Sequence, residues 1–374
     1  MKRLVLVGGG HAHVEVLRRF GRAPVPGVEL VLVSPQRLAP YSGMLPGLVA
    51  GHYEHAAVHI DLERLSRFAG ARFLPTRAAG VDPHRRVVAL PDGGALEFDL
   101  VSLDVGSAPA TAGAPGAAEH TLGVKPVDRF LQAWEGWRER ARAGALRRLL
   151  VVGGGAAGVE TVLAMQYRLA RERGRGDAVE CALATDVDRL LPMHPPRVQA
   201  ILARILGERG VRLHLATPAA RVEPDAIVAA DGRRIEADAI VWATGAAALP
   251  WVRRLGVALD AAGFVAVNES LQSISDAHVF AVGDCATMIG HPRPRSGVFA
   301  VRQGPPLAAN LRAALAGRPL ARYVPQEHAL ALISAGDRYA VAARGGWAAE
   351  GRWAWRWKDW IDRRFVARYR VDGR

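Results

Sequence analysis

Two stretches of the chain place a short run of apolar, β-branched residues directly before three glycines and a segment with helical periodicity. They are RLVLVGGGHAHVEVLRRF at 3–20 and RLLVVGGGAAGVETVLAM at 148–165. A run that is apolar at every position indicates a strand buried on both faces, and such strands belong to parallel sheets covered by helices. The repeat therefore predicts an α/β chain with two doubly wound units.

Further strands follow each glycine motif. The segments 28–35 and 179–186 are predicted as second strands, and 98–109 and 237–250 as strands that end in a glycine turn. A last strand with glycine and acid, at 278–288, arrives after the second unit has ended. We therefore expect the chain to return to its first unit, so that the second unit is inserted in the first.

These signals divide the chain into three parts. The first domain is predicted at residues 1–115 and 265–320, and the inserted second domain at 116–264. Residues 321–374 form a C-terminal element that serves as an interface or as a membrane-surface contact.

The glycines of the second copy have the spacing of a dinucleotide-binding turn. In Gly153, Gly155 and Gly158, the first glycine makes a tight turn, the second lets backbone approach a pyrophosphate, and the third lets the helix pack on the strand. The pyrophosphate then lies at the positive end of the helix dipole. Because the motif occurs twice, we expect two Rossmann-like dinucleotide-binding domains, which suggests a flavin and a nicotinamide nucleotide.

The first copy departs from this pattern at its third glycine. Gly8 and Gly10 are present, but His13 takes the third position and His11 lies two residues earlier. Two interpretations are open: His13 is a packed, hydrogen-bonded histidine, or one of the two histidines faces the cofactor. In the second case the positive helix end would favour a neutral imidazole.

Neither second strand ends in the acid that commonly binds the adenosine ribose. Ser34 holds that position in the first unit and Thr185 in the second, with Asp186 one residue further on. Hydroxyls can still bond a ribose, while Asp186 and Asp188 repel a 2'-phosphate and Arg189 attracts it. We therefore expect NAD(P)H in the second domain, with a slight preference for NADH.

Composition changes this picture little. Only Lys2, Lys125 and Lys358 among the 49 basic residues are lysines, so the net charge of +13 indicates an arginine-rich background and not a nucleic-acid partner. Half of the residues are hydrophobic, which excludes a disordered chain. Without a signal-peptide pattern or a long apolar run, we expect a cytoplasmic protein, soluble or peripheral on the inner face of the cell membrane.

The chain has two cysteines, Cys181 and Cys285. They cannot form a disulfide framework, and they have no Cys-x-x-Cys or metal-ligand spacing, so no metal site is predicted. We expect both to be packed and inert: Cys181 in a buried strand and Cys285 behind Asp284.

The segment RWAWRWKDWIDRRFVARYR at 352–370 is basic and rich in tryptophan. As a helix it leaves Trp355 pointing away from one apolar stripe. The stripe consists of Trp353, Trp357, Trp360, Ile361 and Phe365. This helix either packs on the core or on a second copy of the chain, or residues 352–374 lie in a bilayer interface, indoles at headgroup level. Nucleic acid is the least favoured partner, since no recognised binding fold is present.

Five motifs over nearly the whole chain resemble the pyridine-nucleotide-disulfide oxidoreductase superfamily: GGGHAHVE, GVKPVDRF, VVGGGAAGVE, VWATGA and VFAVGDCA. The segment PYSGMLPGLVAGHY at 40–53 and the tail are similar to type II NADH:quinone dehydrogenases and sulfide:quinone reductases. SGVFAVRQGPPLAANL at 296–311 and EGRWAWRWKDWIDRRF at 350–365 are most similar to the FAD-dependent branch sometimes fused to selenide, water dikinase.

The resemblance implies a role for each motif. The residues expected to hold FAD are Gly8, Gly10, His11, Ser34, Gly283, Asp284 and Val298. Those expected to hold NAD(P)H are Gly153, Gly155, Gly158 and Thr185. Lys125 is implied to lie near the flavin. Glu160 either places the nicotinamide or relays protons, or it is only a favourable acid in the first turn of its helix.

A disulfide reductase needs a pair of redox-active cysteines, which this chain lacks. The resemblance therefore implies a type II-like enzyme that passes hydride from NAD(P)H to FAD and then electrons to a quinone or another small acceptor. Two alternatives stay open. One is a flavin oxidoreductase for a sulfur or selenium species, and the other is a low-turnover redox sensor, suggested by His13, Ser34 and Thr185.

Overall fold

Two five-stranded parallel sheets form the framework of the protein. The structure is a computed structural model, and it describes residues 1–173 and 178–371. The first sheet has the strand order Val279–Ala281, Leu100–Leu103, Lys2–Val7, Val28–Val33, Arg72–Leu74. The second has the order Leu122–Gly123, Ala239–Trp242, Arg148–Val152, Glu180–Ala184, Arg212–His214. Their central strands are buried along most of their length, as the unbroken apolar runs predict.

Strand pairing confirms that the second unit is inserted in the first. Val279–Ala281 pairs in parallel with Leu100–Leu103, although every strand of the second sheet lies between them in the sequence. The second strands also follow the prediction, except that the predicted spans 28–35 and 179–186 include the loops after them. The domain boundaries near 115, 265 and 320 stay a prediction.

Helices cover both sheets. They span His11–Arg22, Leu45–Val49, His55–Val58, Leu62–Phe68, Ala117–His120, Val127–Arg142, Ala156–Arg173, Pro196–Glu208, Gly297–Leu315 and Arg352–Ala367. Short 3-10 turns span Ser42–Met44, Val252–Arg254 and Gly283–Cys285. Below, His11–Arg22 is the first glycine helix, Ala156–Arg173 the second glycine helix, and Arg352–Ala367 the C-terminal helix.

In the described part of the chain, six smaller sheets complete the fold. Three of them have three antiparallel strands: Gly80–Asp82, Val87–Ala89 and Ala95–Glu97; Ala219–Glu223, Ala226–Ala229 and Arg234–Glu236; Ala331–Ser334, Ala340–Arg344 and Trp347–Gly351. The two-stranded pairs are Leu38–Pro40 with His59–Asp61, Ala108–Pro109 with Ala246–Ala247, and Val265–Val267 with Ala286–Met288.

The C-terminal sheet lies between the cores of the two units. Along the strand Ala340–Arg344, Ala340 and Ala342 join the core of the first unit, while Val341 and Ala343 join the core of the second. This follows from the two-residue period of a strand, which sends alternate side chains to opposite faces. The C-terminal element thus holds the two units together.

The C-terminal helix packs on the first core with a face that the sequence reading did not predict. Trp355, assigned to the outside, is buried in the first core, and so is Phe365, which was assigned to the tryptophan stripe. Trp353, Trp357 and Trp360 are instead 46%, 38% and 56% exposed. The stripe prediction was therefore wrong, because the helix turns its charged pair Lys358 and Asp362 inward and its tryptophans outward.

Among the described residues, no helix combines the length and the apolar character that crossing a bilayer requires. The last residues of the tail, 372–374, lie outside the described residues.

Candidate functional site

The two glycine loops have the same geometry. Gly8 has φ +95°, and a Cβ added there would lie 2.3 Å from the carbonyl oxygen of Asp104. Gly153 has φ +128°, and its Cβ would lie 2.4 Å from the carbonyl oxygen of Ala243. Each loop therefore turns tightly against the end of the neighbouring strand, at the carboxyl edge of its sheet, where only glycine fits.

The second loop leaves room at the start of the second glycine helix. A Cβ added to Gly155 would meet nothing within 4 Å, whereas one added to Gly158 would lie 1.9 Å from the carbonyl oxygen of Gly153. Gly158 thus allows close packing of helix on strand, and Gly155 borders open space. This arrangement fits a dinucleotide pyrophosphate at the helix N-terminus.

His13 replaces the third glycine of the first loop and is fully buried. Its Nδ1 lies 2.6 Å from the Gly8 carbonyl oxygen, and its Nε2 lies 2.9 Å from Ser102 Oγ. Burial lowers the pKa of His13 to about 4, so the ring is neutral, donating to Gly8 and accepting from Ser102. His13 therefore agrees with the first of the two interpretations, in which it is a packed, hydrogen-bonded histidine.

His11 faces a different group of residues. Its ring centroid lies 5.4 Å from that of Tyr41 and 6.2 Å from that of Phe365 in the C-terminal helix. Burial, assisted by Lys125, lowers the pKa of His11 to about 4. Its buried Nε2 has no hydrogen-bond partner within the described part of the chain, so it is available to a bound group.

Asp104 is a buried acid that the sequence reading missed. Its Oδ2 accepts hydrogen bonds from the backbone N–H groups of Ala12 and His13, at 2.9 and 3.1 Å, in the first turn of the first glycine helix. Burial raises the pKa of Asp104 to about 7, although the two N–H donors act in the opposite direction. The signal was present in the sequence, since LDVG at 103–106 stands where the second unit has WATG at 242–245.

Lys125 and Asp284 are brought together from distant parts of the chain. Lys125 Nζ lies 2.7 Å from Asp284 Oδ2. Gly283, with φ +65°, donates its N–H to Gln303 Oε1 at 2.7 Å. Val298 lies in the first turn of the helix Gly297–Leu315, which contacts the turn Gly283–Cys285. Gly283, Asp284 and Val298, which are expected to hold FAD, therefore lie on two elements that are in contact.

The two residues expected at the ribose are buried beside the middle glycines of the loops. Ser34 Oγ would lie 3.2 Å from a Cβ on Gly9, and Thr185 Oγ1 would lie 2.7 Å from one on Gly154. Near Thr185, Asp188 forms an ion pair of 3.0 Å with Arg189.

Glu160 lies in the second glycine helix and reaches the C-terminal element. Its Oε1 accepts the N–H of Ser334 at 2.7 Å. Burial raises the pKa of Glu160 to about 7, opposed by the nearby Lys358 and by the Ser334 N–H. The carboxyl therefore exchanges its proton near neutral pH.

Lys358 and Asp362 form a buried ion pair of 2.6 Å on the inner face of the C-terminal helix. Lys358 also donates to the Gly43 carbonyl oxygen, and the Tyr41 hydroxyl hydrogen-bonds to Asp362. Burial raises the pKa of Asp362. Lys358 could have been found from the sequence, as one of only three lysines.

The cysteines lie in the core. Cys285 Sγ contacts the Val282 carbonyl oxygen at 3.1 Å, and Cys181 lies in the strand Glu180–Ala184. Burial raises the pKa of each thiol to about 12, so both stay protonated. Within residues 1–173 and 178–371 no group of His, Cys, Asp and Glu side chains could hold a metal ion.

Known proteins share this architecture. The sulfide:quinone oxidoreductase of Aquifex aeolicus has a TM-score of 0.83 and 19% identity, with 99% of this chain and 92% of that chain covered. NDH2 from Plasmodium falciparum in complex with NADH has a TM-score of 0.80 and 13% identity, with 100% and 99% covered. At these identities the likeness shows the fold alone.

Comparison of sequences identifies the family of the protein. The NADH dehydrogenase-like protein YutJ of Bacillus subtilis is 26% identical over 337 residues, which cover 87% of each protein. A type II NADH:quinone oxidoreductase of Haemophilus influenzae is 32% identical over 184 residues, 46% of this chain and 41% of that protein. The family model of the pyridine nucleotide-disulphide oxidoreductases matches residues 2–304. The chain therefore belongs to the pyridine nucleotide-disulphide oxidoreductase family and is an enzyme that works with FAD and NAD(P)H.

Proposed function

We propose that this enzyme oxidises NAD(P)H, with NADH preferred, and reduces a quinone that reaches it from a membrane surface. The observation that carries the proposal is the C-terminal helix. Its inner face places Lys358 and Asp362 against Gly43 and Tyr41, and its outer face exposes tryptophans. Two similar proteins, the type II NADH:quinone oxidoreductase of Haemophilus influenzae and the sulfide:quinone oxidoreductase of Aquifex aeolicus, have a quinone acceptor in their names, which supports the same proposal.

The residues present fit both cofactors. The open space beside Gly155 suits the pyrophosphate of NAD(P)H, and the unpartnered Nε2 of His11 beside Gly10 suits a bound FAD. We assign Gly8, Gly10, His11, Ser34, Gly283, Asp284 and Val298 to FAD, and Gly153, Gly155, Gly158 and Thr185 to NAD(P)H. When bound, FAD accepts a hydride from NAD(P)H and passes two electrons on.

Reduction of a quinone to a hydroquinone consumes two electrons and two protons. NAD(P)H supplies the electrons with one proton, so the second proton must come from the solvent. Glu160, with a pKa of about 7, holds such a proton at neutral pH next to Lys358. We assign to Glu160 the delivery of this proton, and to Lys358 the electrostatic stabilisation of the developing negative charge on the quinone oxygen.

The outer face of the C-terminal helix suits an anionic lipid surface. Trp353 stacks on Trp357 at 6.3 Å between centroids, and Trp347 lies 6.4 Å from Trp353. The face also carries exposed arginines: Arg352, Arg356, Arg363 and Arg364. Indoles at headgroup level and guanidinium groups at lipid phosphates are typical of a helix that lies in a bilayer interface. We therefore place the enzyme peripherally on the cytoplasmic face of the cell membrane.

Anaerobic titration followed by acceptor addition tests the function. NADH should bleach the flavin absorbance of the purified holoprotein, and a short-chain ubiquinone or menaquinone analogue should restore it. NADPH should bleach it more slowly, because Asp186 and Asp188 repel a 2'-phosphate. The quinone proposal is wrong if the reduced protein is reoxidised only by a polysulfide or a selenium species. If no acceptor restores the absorbance within minutes, a low-turnover redox sensor is the better description.

A further inference from the structure

The chain contains its own comparison for the FAD loop. Gly8 and Gly10 of the first loop correspond to Gly153 and Gly155 of the second, and Asp104 corresponds to Ala243, because each follows the strand next to its loop. A Cβ on Gly155 would meet nothing within 4 Å, whereas a Cβ on Gly10 would lie 2.3 Å from Asp104 Oδ1. In the first unit a carboxyl group therefore fills the space that is open in the second.

The two oxygens of Asp104 have different surroundings. Oδ2 accepts the N–H groups of Ala12 and His13, which helix geometry otherwise leaves for a phosphate. Oδ1 lies between the two loops assigned to FAD, near the Cβ positions of Gly10 and Gly283, at 2.3 and 2.8 Å. Oδ1 makes no hydrogen bond to any described residue, so it can contact a group that binds between Gly10 and Gly283.

The buried histidines and the buried thiol near Asp104 do not change charge near neutral pH. His11 and His13 are neutral, with pKa values lowered to about 4, and the pKa of the Cys285 thiol is raised to about 12. Lys125 and Asp284 form an ion pair whose charges offset each other. Asp104 is the group of this cluster that exchanges a proton between pH 6 and 8, since burial raises its pKa to about 7.

We propose that Asp104 is a binding residue for FAD that carries a proton in the holoprotein and donates it from Oδ1 to the FAD pyrophosphate. An ionised carboxylate in this buried loop would repel the two phosphate charges, whereas a protonated carboxyl offers them a hydrogen bond. FAD binding is then coupled to the uptake of one proton above pH 7. The inference rests on FAD occupying the first loop and does not depend on which acceptor the enzyme reduces.

Retention of FAD as a function of pH tests this coupling without an activity measurement. The holoprotein is diluted into buffers from pH 6 to pH 9, and the FAD released at equilibrium is measured by its fluorescence. Wild-type Kd should be constant below pH 7 and should rise by up to tenfold per pH unit above it. Asp104→Asn keeps an acceptor and an N–H donor in place, so its Kd should vary less than threefold over the range.

Asp99→Asn is the matched control, because Asp99 also accepts a backbone N–H, that of Arg3, at the other end of the same strand. Its Kd should follow the wild-type curve. Infrared spectra of the two holoproteins give a second readout that does not depend on affinity. At pH 8 the wild-type spectrum should contain a protonated carboxyl band that is absent in Asp104→Asn, whereas any band of Glu160 should be the same in both proteins. A wild-type Kd that stays flat from pH 6 to pH 9, or an unchanged pH dependence in Asp104→Asn, would overturn the proposal.

Discussion

Lys358 Nζ lies 2.6 Å from Asp362 Oδ2, one turn apart on the C-terminal helix, and both side chains are buried. The pair is tied to the first unit, because Lys358 donates to Gly43 and Asp362 accepts from Tyr41. Each of these charges costs free energy to desolvate, and the ion pair offsets that cost. Removing one partner leaves the other charge buried and unpaired, so it should destabilise the protein more than removing both.

Lys358→Met should lower the free energy of unfolding by about 3 kcal/mol, because Asp362 is left buried without its cation. Lys358→Met combined with Asp362→Leu should recover most of this loss. Arg363→Met, which breaks the exposed pair with Asp359, should cost less than about 1 kcal/mol. Denaturation of the holoproteins gives these values, and equal losses for the Lys358 and Arg363 single variants would show that the buried pair is not important.

Glu160→Gln should remove the pH dependence of quinone reduction. In the wild type the carboxyl is protonated below its pKa of about 7, so the rate should fall as the pH rises through 7. The variant should be slower by roughly a hundredfold at pH 6 and flat across the range, whereas flavin bleaching by NADH should keep its rate. Glu208→Gln, an exposed carboxylate paired with Arg204, serves as the control. A wild-type profile retained in Glu160→Gln would exclude Glu160 as the proton donor.

Trp357→Ala and Trp360→Ala should each weaken binding to anionic vesicles by roughly tenfold, because each indole buries apolar area in the bilayer interface. Vesicle flotation measures the effect. Met193→Ser removes an exposed apolar side chain outside the C-terminal helix and should leave flotation unchanged. Trp355→Ala should instead lower the thermal midpoint, since Trp355 is part of the core. Flotation that survives both exposed substitutions would show that these indoles do not hold the protein on the vesicle, and wild-type protein that does not float would remove the membrane assignment.

Gly155→Ala and Gly158→Ala should have different effects: the first should weaken NADH binding, and the second should impair folding. The methyl group of Gly155→Ala has open space in the protein, so the variant should fold, retain FAD and show an NADH KM raised about tenfold or more. The methyl group of Gly158→Ala would lie 1.9 Å from the Gly153 carbonyl oxygen and should destabilise the second unit. An unchanged KM in Gly155→Ala would place the pyrophosphate elsewhere.

Cys181→Ala combined with Cys285→Ala should leave NADH oxidation and quinone reduction within about twofold of the wild type, because both thiols are protonated and packed in the core. The expected cost is in stability, about 1 kcal/mol for each small cavity. Steady-state rates at saturating FAD provide the measurement. A large loss of activity with normal flavin content would show that one of the thiols takes part in catalysis.

The sheets and their insertion could be predicted because each buried strand is apolar throughout and is followed by glycines. Gly8 and Gly153 could be predicted from the glycine spacing alone, and the structure supplies the reason: each has a positive φ and no room for a side chain beside the carbonyl group of Asp104 or Ala243. Contacts between side chains that are distant in the sequence could not be predicted from these local patterns. The pairing of Lys125 with Asp284, and of Glu160 with Ser334, depends on how the two units pack.

The error in the tail has a simple physical cause. Helical periodicity identifies two faces, and the usual rule turns the apolar face inward. Here the first unit offers the helix polar groups, the Gly43 carbonyl and the Tyr41 hydroxyl, so Lys358 and Asp362 face inward and the tryptophans stay outside. Asp104 was missed although LDVG aligns with WATG, because its hydrogen bonds to the first turn of the first glycine helix are visible only in the fold.

The interrupted first sheet has a consequence for synthesis on the ribosome. All strands of the second sheet end by Trp242, whereas the first sheet still lacks Val279–Ala281 at that stage. Once the chain has emerged from the ribosome to a residue between 243 and 278, all strands of the second sheet are present, whereas the outer edge of Leu100–Leu103 still lacks its partner strand. Such an open apolar edge attracts other strands, so these 36 residues of elongation are the interval in which a chaperone would protect the chain.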